Sequence, residues 1–151
     1  MHRRTVLMAL VATLPFLAIG PAHAADAEIF LAEGKTEALS GWDVVSYFAT
    51  SGPTAGKPEF STKWKNVNWQ FSSAENLALF TAAPEKYAPQ YGGYCAYAAA
   101  NGSTAPGDPE AWTVHNGKLY INLSPSVRKL WLEDTDGNIR KGDANWPGVL
   151  N

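Results

Sequence analysis

The side chains with the most reactive chemistry are concentrated in one run, Pro84–Tyr97. This run contains the only cysteine of the chain, Cys95, together with a diglycine and the tyrosines Tyr91, Tyr94 and Tyr97. A single thiol can be a metal ligand, a reactive nucleophile, half of an intermolecular disulfide or a small buried hydrophobic residue. The alanines that surround Cys95 favour burial, and the other three interpretations stay open.

His115 is the only histidine after His23, so any imidazole chemistry of the folded chain must use it. Together with Cys95 and an aspartate or tyrosine oxygen it would suit zinc or copper, which bind thiolate and imidazole ligands. The alternatives are a catalytic Cys–His pair and a histidine that simply lies at the surface of a hairpin. The predicted metal ligands are therefore Cys95 and His115.

The three tyrosines of the run are spaced by three residues, so neighbouring ones would share a face if the run were helical. They fit either a packed core, with phenol groups hydrogen-bonded at its edge, or the wall of a ligand pocket. The predicted pocket combines Tyr91, Tyr94 and Tyr97 with Trp112.

Two carboxylates complete the candidate ligand set. Asp43 follows Trp42, and Asp108 precedes Pro109 in a loop whose capping would also explain an aspartate there. The stretch 134–138 looks like the start of a calcium loop but lacks the required glycine and the closing glutamate, so we reject it. No phosphate-binding loop, serine-centred elbow or zinc-protease motif is present. No catalytic residue is predicted, and a non-enzymatic role is favoured.

The first 24 residues have the pattern of a signal peptide. The positive pair Arg3-Arg4 precedes an apolar stretch, and Ala22-His23-Ala24 forms a small-x-small cleavage site. The apolar stretch is shorter than the roughly 20 residues that a membrane span needs. The arginine pair fits a twin-arginine signal as well as an ordinary secretion signal. We therefore expect cleavage after Ala24, a periplasmic or secreted protein, and no membrane anchor.

The charge balance and the cysteine count limit the classes of binding partner that the chain can have. Removing Arg3 and Arg4 from the 12 basic residues leaves 10 against 14 acidic ones, a net charge of −4 for the mature chain. This balance argues against nucleic acid and anionic lipid, which both require clustered lysine and arginine. One cysteine allows no internal disulfide, so stability must come from packing, a bound ligand or both. A metal ion or a small ligand is the expected partner.

The remaining pattern predicts a flexible arm over 25–40 and one small α+β domain over 41–151. Apolar alternation predicts two antiparallel hairpins, the second closed by Asn116-Gly117 in a type I′ turn. About three short helices are expected to pack on them. The first helix is predicted to start at a capping box formed by Ser72 and Glu75. The second is predicted to cover Gly93–Ala100, and the third to run from Ser124-Pro125 to near Gly137.

With these motifs in view, the region from about Gly41 to Trp146 resembles the exported branch of the YHS-domain family. The matching stretches are Gly41–Phe48, Trp69–Asn76, Pro84–Tyr97 and Ala105–Trp112. The resemblance implies a small α+β domain linked to metal handling, because shorter relatives accompany copper-transporting ATPases and metal-dependent monooxygenases. Those relatives carry a Cys-x-x-x-Cys pair after the hairpin strand, where this chain has Ser72 and Asn76.

This departure leaves Cys95 as the only soft metal ligand of the mature chain. The leading hypothesis is an exported, non-enzymatic binding domain for a transition metal, most plausibly copper, with Cys95 as ligand and His115 or a tyrosine beside it. The first alternative is an aromatic pocket that binds a small ligand or a protein segment. The second alternative is a thiol redox protein that uses Cys95.

Overall fold

The structure is a computed structural model, and it describes residues 24–151. Apart from Ala24, the predicted signal peptide with its twin-arginine and cleavage motifs lies outside the described residues. No helix within 24–151 is long and apolar enough to cross a membrane.

The predicted α+β class is confirmed. Residues 24–151 form two antiparallel hairpins and five α-helices, connected by loops and short 3₁₀ turns. The elements are β1 (Lys57–Trp64), β2 (Val67–Phe71), α1 (Ala74–Ala82), α2 (Pro84–Tyr87), α3 (Ala96–Ala100), β3 (Asp108–His115), β4 (Lys118–Asn122), α4 (Pro125–Leu132) and α5 (Thr135–Asn145). The 3₁₀ turns are Ala38–Gly41, Ser46–Phe48, Gln90–Gly93 and Gly148–Leu150.

Both predicted hairpins are confirmed, and each is closed by a two-residue turn. Asn116 and Gly117 have φ values of 49° and 73°, which is the positive-φ pair that a type I′ turn requires. Lys65 and Asn66 close the first hairpin with φ values of 49° and 62°. The turns therefore set the registers that pair Trp64 with Val67 and His115 with Lys118.

Strand β4 separates two hydrophobic cores. Leu119 and Ile121 belong to the larger core, whereas Tyr120 between them belongs to the second. Successive strand residues face opposite sides, so a strand buried on both faces joins both cores. The larger core also contains Val44, Tyr47, Trp69, Phe71, Phe80 and Tyr87, and the second contains Tyr91, Ala96, Ala99 and Trp131. Each large apolar side chain buried in this way contributes about 1.5–3 kcal/mol.

The predicted start of α1 is wrong by one residue. Ser73, and not Ser72, is the N-cap, because its side chain accepts a hydrogen bond from the Asn76 backbone N–H at 3.2 Å. The Ser72 hydroxyl instead donates to Asp43 Oδ2 at 2.7 Å. Ser72 therefore binds the Asp43 carboxylate, and its neighbour Ser73 caps the helix.

The predicted helix Gly93–Ala100 is also shorter than expected. Tyr91, Gly92 and Gly93 have φ values of 55°, 62° and 85°, which a right-handed helix cannot contain. A Cβ on Gly92 would lie 1.8 Å from the Glu28 carbonyl oxygen. The backbone of the N-terminal segment therefore crosses the run at Gly92, and α3 begins only at Ala96.

The third predicted helix is two helices. Helix α4 ends at Leu132, and Asp134 caps α5 by accepting a hydrogen bond from the Gly137 N–H at 3.0 Å. Asp136 lies in the first turn of α5, where a carboxylate interacts favourably with the helix dipole. Helix α5 buries Gly137, Asn138 and Gly142, so it lacks the apolar stripe by which sequence reasoning finds a helix.

The segment 25–40, predicted to be a flexible arm, is packed onto the domain. Ile29 is 5% exposed and belongs to the larger core. The Phe30 N–H donates to the Gly92 carbonyl at 2.9 Å, and the Asp26 N–H donates to the Leu150 carbonyl at 2.8 Å. Sequence reasoning missed this packing because the segment has only one short apolar cluster.

Candidate functional site

Cys95 lies in the interior, immediately before α3. Its backbone N–H donates to the Ala105 carbonyl at 2.9 Å, and a parallel bridge joins it to Ile121 of β4. The side chain is 2% exposed, and its Sγ lies 3.6 Å from Asn122 Oδ1. The Tyr97 N–H donates to the same oxygen at 3.1 Å, so Asn122 presents its acceptor to the thiol.

The structure does not bring Cys95 and His115 together, so the predicted metal pair is not formed. Cys95 forms a bridge with Ile121 of β4, whereas His115 pairs with Lys118 of the same strand. Lys118 and Ile121 are three residues apart, which corresponds to about 10 Å along a strand. The thiol approaches Asn122, which is further still from His115.

His115 has a different partner. Its Nε2 lies 3.0 Å from Asp136 Oδ1, and its side chain is 32% exposed. This contact joins the β3–β4 turn to the start of α5. Among residues 24–151, no three histidine, cysteine or acidic side chains are grouped so that they could hold a metal ion. His115 therefore acts as a link between elements at the surface.

Asp43 is fully buried, and five hydrogen bonds hold its carboxylate. Its Oδ1 accepts from the N–H groups of Val45 and Ser46, at 2.9 and 3.3 Å. Its Oδ2 accepts from the Ser72 N–H, the Ser72 hydroxyl and Asn76 Nδ2, at 2.8, 2.7 and 2.7 Å. Ser72 and Asn76, at the positions where the resemblance to YHS-domain proteins would predict a cysteine pair, thus hold a carboxylate that ties α1 to the Asp43 loop.

Asp108 and Trp112 have structural contacts as well. Asp108 Oδ1 accepts from the Glu110 N–H at 2.9 Å, within the first residues of β3, where a loop was expected. Trp112 packs edge-on against Tyr47, with 5.5 Å between the ring centroids. The Tyr47 hydroxyl donates to the Pro109 carbonyl at 2.9 Å, and burial raises the pKa of this phenol.

The three tyrosines of the run do not share a face, because only Tyr97 lies on a helix. The Tyr91 hydroxyl donates to Asp143 Oδ1 at 2.9 Å. Burial, and then this hydrogen bond, raises the pKa of Tyr91, which keeps the phenol protonated at neutral pH. The Tyr94 hydroxyl donates to the Ala27 carbonyl at 2.7 Å, on the N-terminal segment. Tyr91, Tyr94 and Trp112 do not line one common cleft.

Tyr91 lines an open cleft of about 440 Å³, which we call the Tyr91 cleft. Its wall is built from three aromatic side chains and several charged ones. The residues that matter for its chemistry are Glu28, Trp64, Lys65, Tyr91, Lys118 and Trp146. The cleft thus combines residues from the N-terminal segment, both hairpin turns, the Tyr91 run and the end of α5.

Two glycines allow the walls of this cleft to approach each other. Gly92 accommodates the carbonyl of Glu28, so the N-terminal segment can form one wall. A Cβ on Gly142 would lie 2.6 Å from the Tyr91 hydroxyl, so α5 can approach the ring only with glycine there. Tyr91 and Trp146 then lie 5.9 Å apart between ring centroids, tilted by 56°.

The charged groups of the cleft are only partly paired. Lys65 pairs with Glu28, and its Nζ lies 4.9 Å from the centroid of the Trp64 ring. Lys118 forms no ion pair with any residue between 24 and 151. The open cleft therefore places an exposed lysine beside aromatic side chains, in contrast to the enclosed thiol.

Other candidate residues line two further clefts. Tyr94 lines one of about 370 Å³ together with Phe30 and Pro106. Ser72 and Asn76 line another of about 360 Å³. Trp112 lines none of these three clefts, so it belongs to the core and not to a binding wall.

Sequence reasoning missed five of the six residues singled out in the Tyr91 cleft: Glu28, Trp64, Lys65, Lys118 and Trp146. Glu28 lies in the segment predicted to be flexible, and Lys65 lies in the turn of the first hairpin. A lysine and a glutamate 37 positions apart carry no sequence signal of their contact. The only sequence signal that could have indicated the cleft was the position of its two tryptophans, Trp64 beside a tight turn and Trp146 near the C-terminus.

Comparison with known proteins gives no relative from which a function can be transferred. No family model, curated protein or solved structure matches the chain. The resemblance to YHS-domain proteins stays a prediction from the quoted motifs. Function is therefore inferred from the geometry of the cleft and the chemistry of its walls.

Proposed function

We propose that this chain is an exported, non-enzymatic binding domain and that it holds a small organic ligand in the Tyr91 cleft. One observation carries the proposal: three aromatic side chains and a lysine without an ion-pair partner among the described residues line the same open cleft. Ligand sites typically combine apolar walls with a few polar groups that fix orientation. Their usual volume, roughly 300–1,000 Å³, includes that of this cleft.

The polar groups of the cleft suit recognition. The Tyr91 phenol donates to Asp143 and its pKa is raised, so it is protonated at neutral pH and does not act as a general base. Neither the thiol of Cys95 nor the imidazole of His115 lines the cleft. Ammonium, carboxylate and amide groups beside aromatic rings supply hydrogen bonds and contact area, which is the equipment of a binding site.

The residues present do not fit a transition-metal centre around Cys95. A soft metal site needs several ligands in a defined geometry. The thiol is enclosed, its neighbour Asn122 offers an amide oxygen, and His115 lies elsewhere. The redox alternative meets the same obstacle, because reactive thiols are partly exposed in an electropositive setting. Copper binding remains the proposal that the motif resemblance motivates, and the geometry supports the cleft better.

A thermal-shift screen of small polar organic compounds, followed by calorimetric titration, tests the proposal. We expect a ligand that raises the melting temperature and quenches tryptophan fluorescence, since Trp64 and Trp146 line the cleft. Trp146→Leu should weaken this ligand by tenfold or more, on the order of 1.4 kcal/mol. Leu132→Ala is the control, because Leu132 is exposed and lies outside the cleft.

Two results would overturn the proposal. One is a ligand whose affinity is unaffected by Trp64→Leu and Trp146→Leu in folded protein. The other is stoichiometric copper binding that Cys95→Ser abolishes and that no cleft variant changes. Thermal unfolding of each variant shows whether the protein tested is folded.

A further inference from the structure

Lys65 occupies a position in the Tyr91 cleft that has the two parts of an ammonium-binding site. Its Nζ pairs with a Glu28 carboxylate oxygen and lies 4.9 Å from the centroid of the Trp64 ring. A cation within about 6 Å of an aromatic centroid is attracted by the ring quadrupole, and tryptophan is the best such ring. The chain's own ammonium group therefore stands in for the cationic group of a ligand.

From this placement, which rests on the function proposed for the cleft, we propose that its ligand carries an ammonium group. That group replaces Lys65 at the wall formed by Trp64 and Glu28. The tilted pair Tyr91 and Trp146 offers additional aromatic surface within the same cleft. Quaternary ammonium compounds are recognised in proteins by such combinations of aromatic rings and carboxylates.

The charge of the cleft agrees with a cationic ligand. Three carboxylates, those of Glu28, Glu85 and Asp143, line it against the two ammonium groups of Lys65 and Lys118. When Lys65 swings out towards solvent, the acidic excess at the wall increases. The mature chain, with 10 basic and 14 acidic residues once Arg3 and Arg4 are removed, is also acidic as a whole.

Lys65 can be displaced because its present contacts are weak. The side chains of Lys65 and Glu28 are 36% and 55% exposed, and exposed ion pairs contribute little and are screened by salt. Lysine is also a flexible side chain with a strongly hydrated charge. Lys65 therefore acts as an internal competitor, and its removal should strengthen the binding of a cation.

The test compares choline with 3,3-dimethylbutan-1-ol, which has the same shape and no charge. Both are titrated calorimetrically into the mature protein at matched ionic strength. We expect choline to bind more tightly, on the order of tenfold. Lys65→Met should strengthen choline binding on the order of threefold and leave the affinity for the alcohol unchanged.

Matched variants show whether a change in choline binding comes from the ammonium site or from a general loss of charge or binding. Glu28→Gln and Trp64→Leu should each weaken choline binding more than alcohol binding. Lys63→Met is the control for Lys65→Met, because Lys63 is an exposed lysine at the end of β1, two residues before Lys65, and lies outside the cleft. All these positions except Trp64 are exposed, so the variants other than Trp64→Leu leave the core intact.

Two outcomes would overturn the ammonium inference. One is equal affinity for choline and the alcohol in both the native protein and Lys65→Met. In that case the cleft binds a ligand, so the proposed function survives and only the ligand class is wrong. The other is the absence of choline binding in Lys65→Met, when other compounds from the thermal-shift screen still bind in the cleft.

Discussion

Tyr91 and Cys95 belong to the same run of the chain and both side chains are buried, Tyr91 at 5% exposed, yet only Tyr91 borders an open cleft. The Cys95 side chain is 2% exposed and faces the Asn122 amide. The Tyr91 ring borders an open cleft that also contains charged groups. The backbone changes direction between them, because Tyr91, Gly92 and Gly93 all have positive φ.

This contrast shows that the most reactive side chain of the run is not the one that borders the cleft. The most reactive side chain of the run is enclosed beside small residues such as Ala96 and Ala99, which leave the helix close to its neighbours. Tyr91, although mostly buried, forms part of the wall of an open cleft. One run therefore serves as interior support on one side and as the wall of a binding cleft on the other.

Gly92→Ala should have the largest effect, because it breaks the cleft side of the run. The new Cβ would lie 1.8 Å from the Glu28 carbonyl oxygen, at a φ of +62°. We expect a loss of about 3 kcal/mol or more in the free energy of unfolding, measured by urea denaturation, together with loss of ligand binding. Gly93→Ala is the control, since its φ is also positive but its Cβ meets only Pro89 Cγ at 3.4 Å. Equal losses in the two variants would contradict this account.

Asp43→Asn tests the polar bonds of the interior. In the variant, an amide NH₂ group takes the place of one carboxylate oxygen. If it replaces Oδ2, the donors of Ser72 and Asn76 lose their acceptor and face another donor. We expect the free energy of unfolding to fall by about 2–3 kcal/mol, with ligand affinity of the folded protein unchanged. Ser72→Ala, which removes one donor, should cost about 1 kcal/mol. An Asp43→Asn protein of native stability that binds ligand more weakly would place Asp43 in the site.

Cys95→Ser tests the enclosed side of the run directly. The hydroxyl is smaller and more polar than the thiol, but Asn122 Oδ1 can still accept its hydrogen bond. We expect a loss of about 1 kcal/mol in the free energy of unfolding and no change in ligand affinity at the cleft. In the native protein, alkylation of Cys95 should be slow and should accelerate in denaturant. Rapid alkylation under native conditions would contradict the enclosed position.

The smallest effect at neutral pH, and a distinct one in alkali, is expected from Tyr120. Burial raises the pKa of Tyr120 to about 12, from an ordinary value near 10. The unfolded chain therefore loses this proton first, so stability should fall as the pH rises from about 10 to about 12. Denaturation profiles of the native protein and Tyr120→Phe measure this, and the variant should show a flatter decline. Parallel profiles would show that Tyr120 does not contribute.

The hairpins were predictable because their signals are local. Alternating apolar residues and the Asn116-Gly117 pair determine strand and turn within a few positions. Helix α5 was not predictable in this way, because Asn138 and Asn145 attach it through side-chain hydrogen bonds to the carbonyls of Trp131 and Ala99. Polar attachments of this kind follow from tertiary structure and leave no periodic pattern.

The candidate site was predictable only in part. Tyr91 was named as a ligand-binding residue, and it does line the cleft. Its supposed neighbours Tyr94 and Trp112 lie elsewhere, because the positive φ values at Tyr91 and Gly92 turn the chain where a helix was expected. Which residues face a common cleft depends on long-range contacts such as that of Gly92 with Glu28.

The most direct test of the central claim is the tryptophan indole N–H region of a ¹⁵N spectrum, recorded with the tightest ligand of the thermal-shift screen. The six tryptophans each supply one resolvable probe. The account predicts that the Trp64 and Trp146 signals shift with ligand, whereas that of Trp131, fully buried in the second core, stays in place. Shifts confined to the backbone signals of Cys95 and Asn122, with Trp64 and Trp146 unmoved, would contradict it.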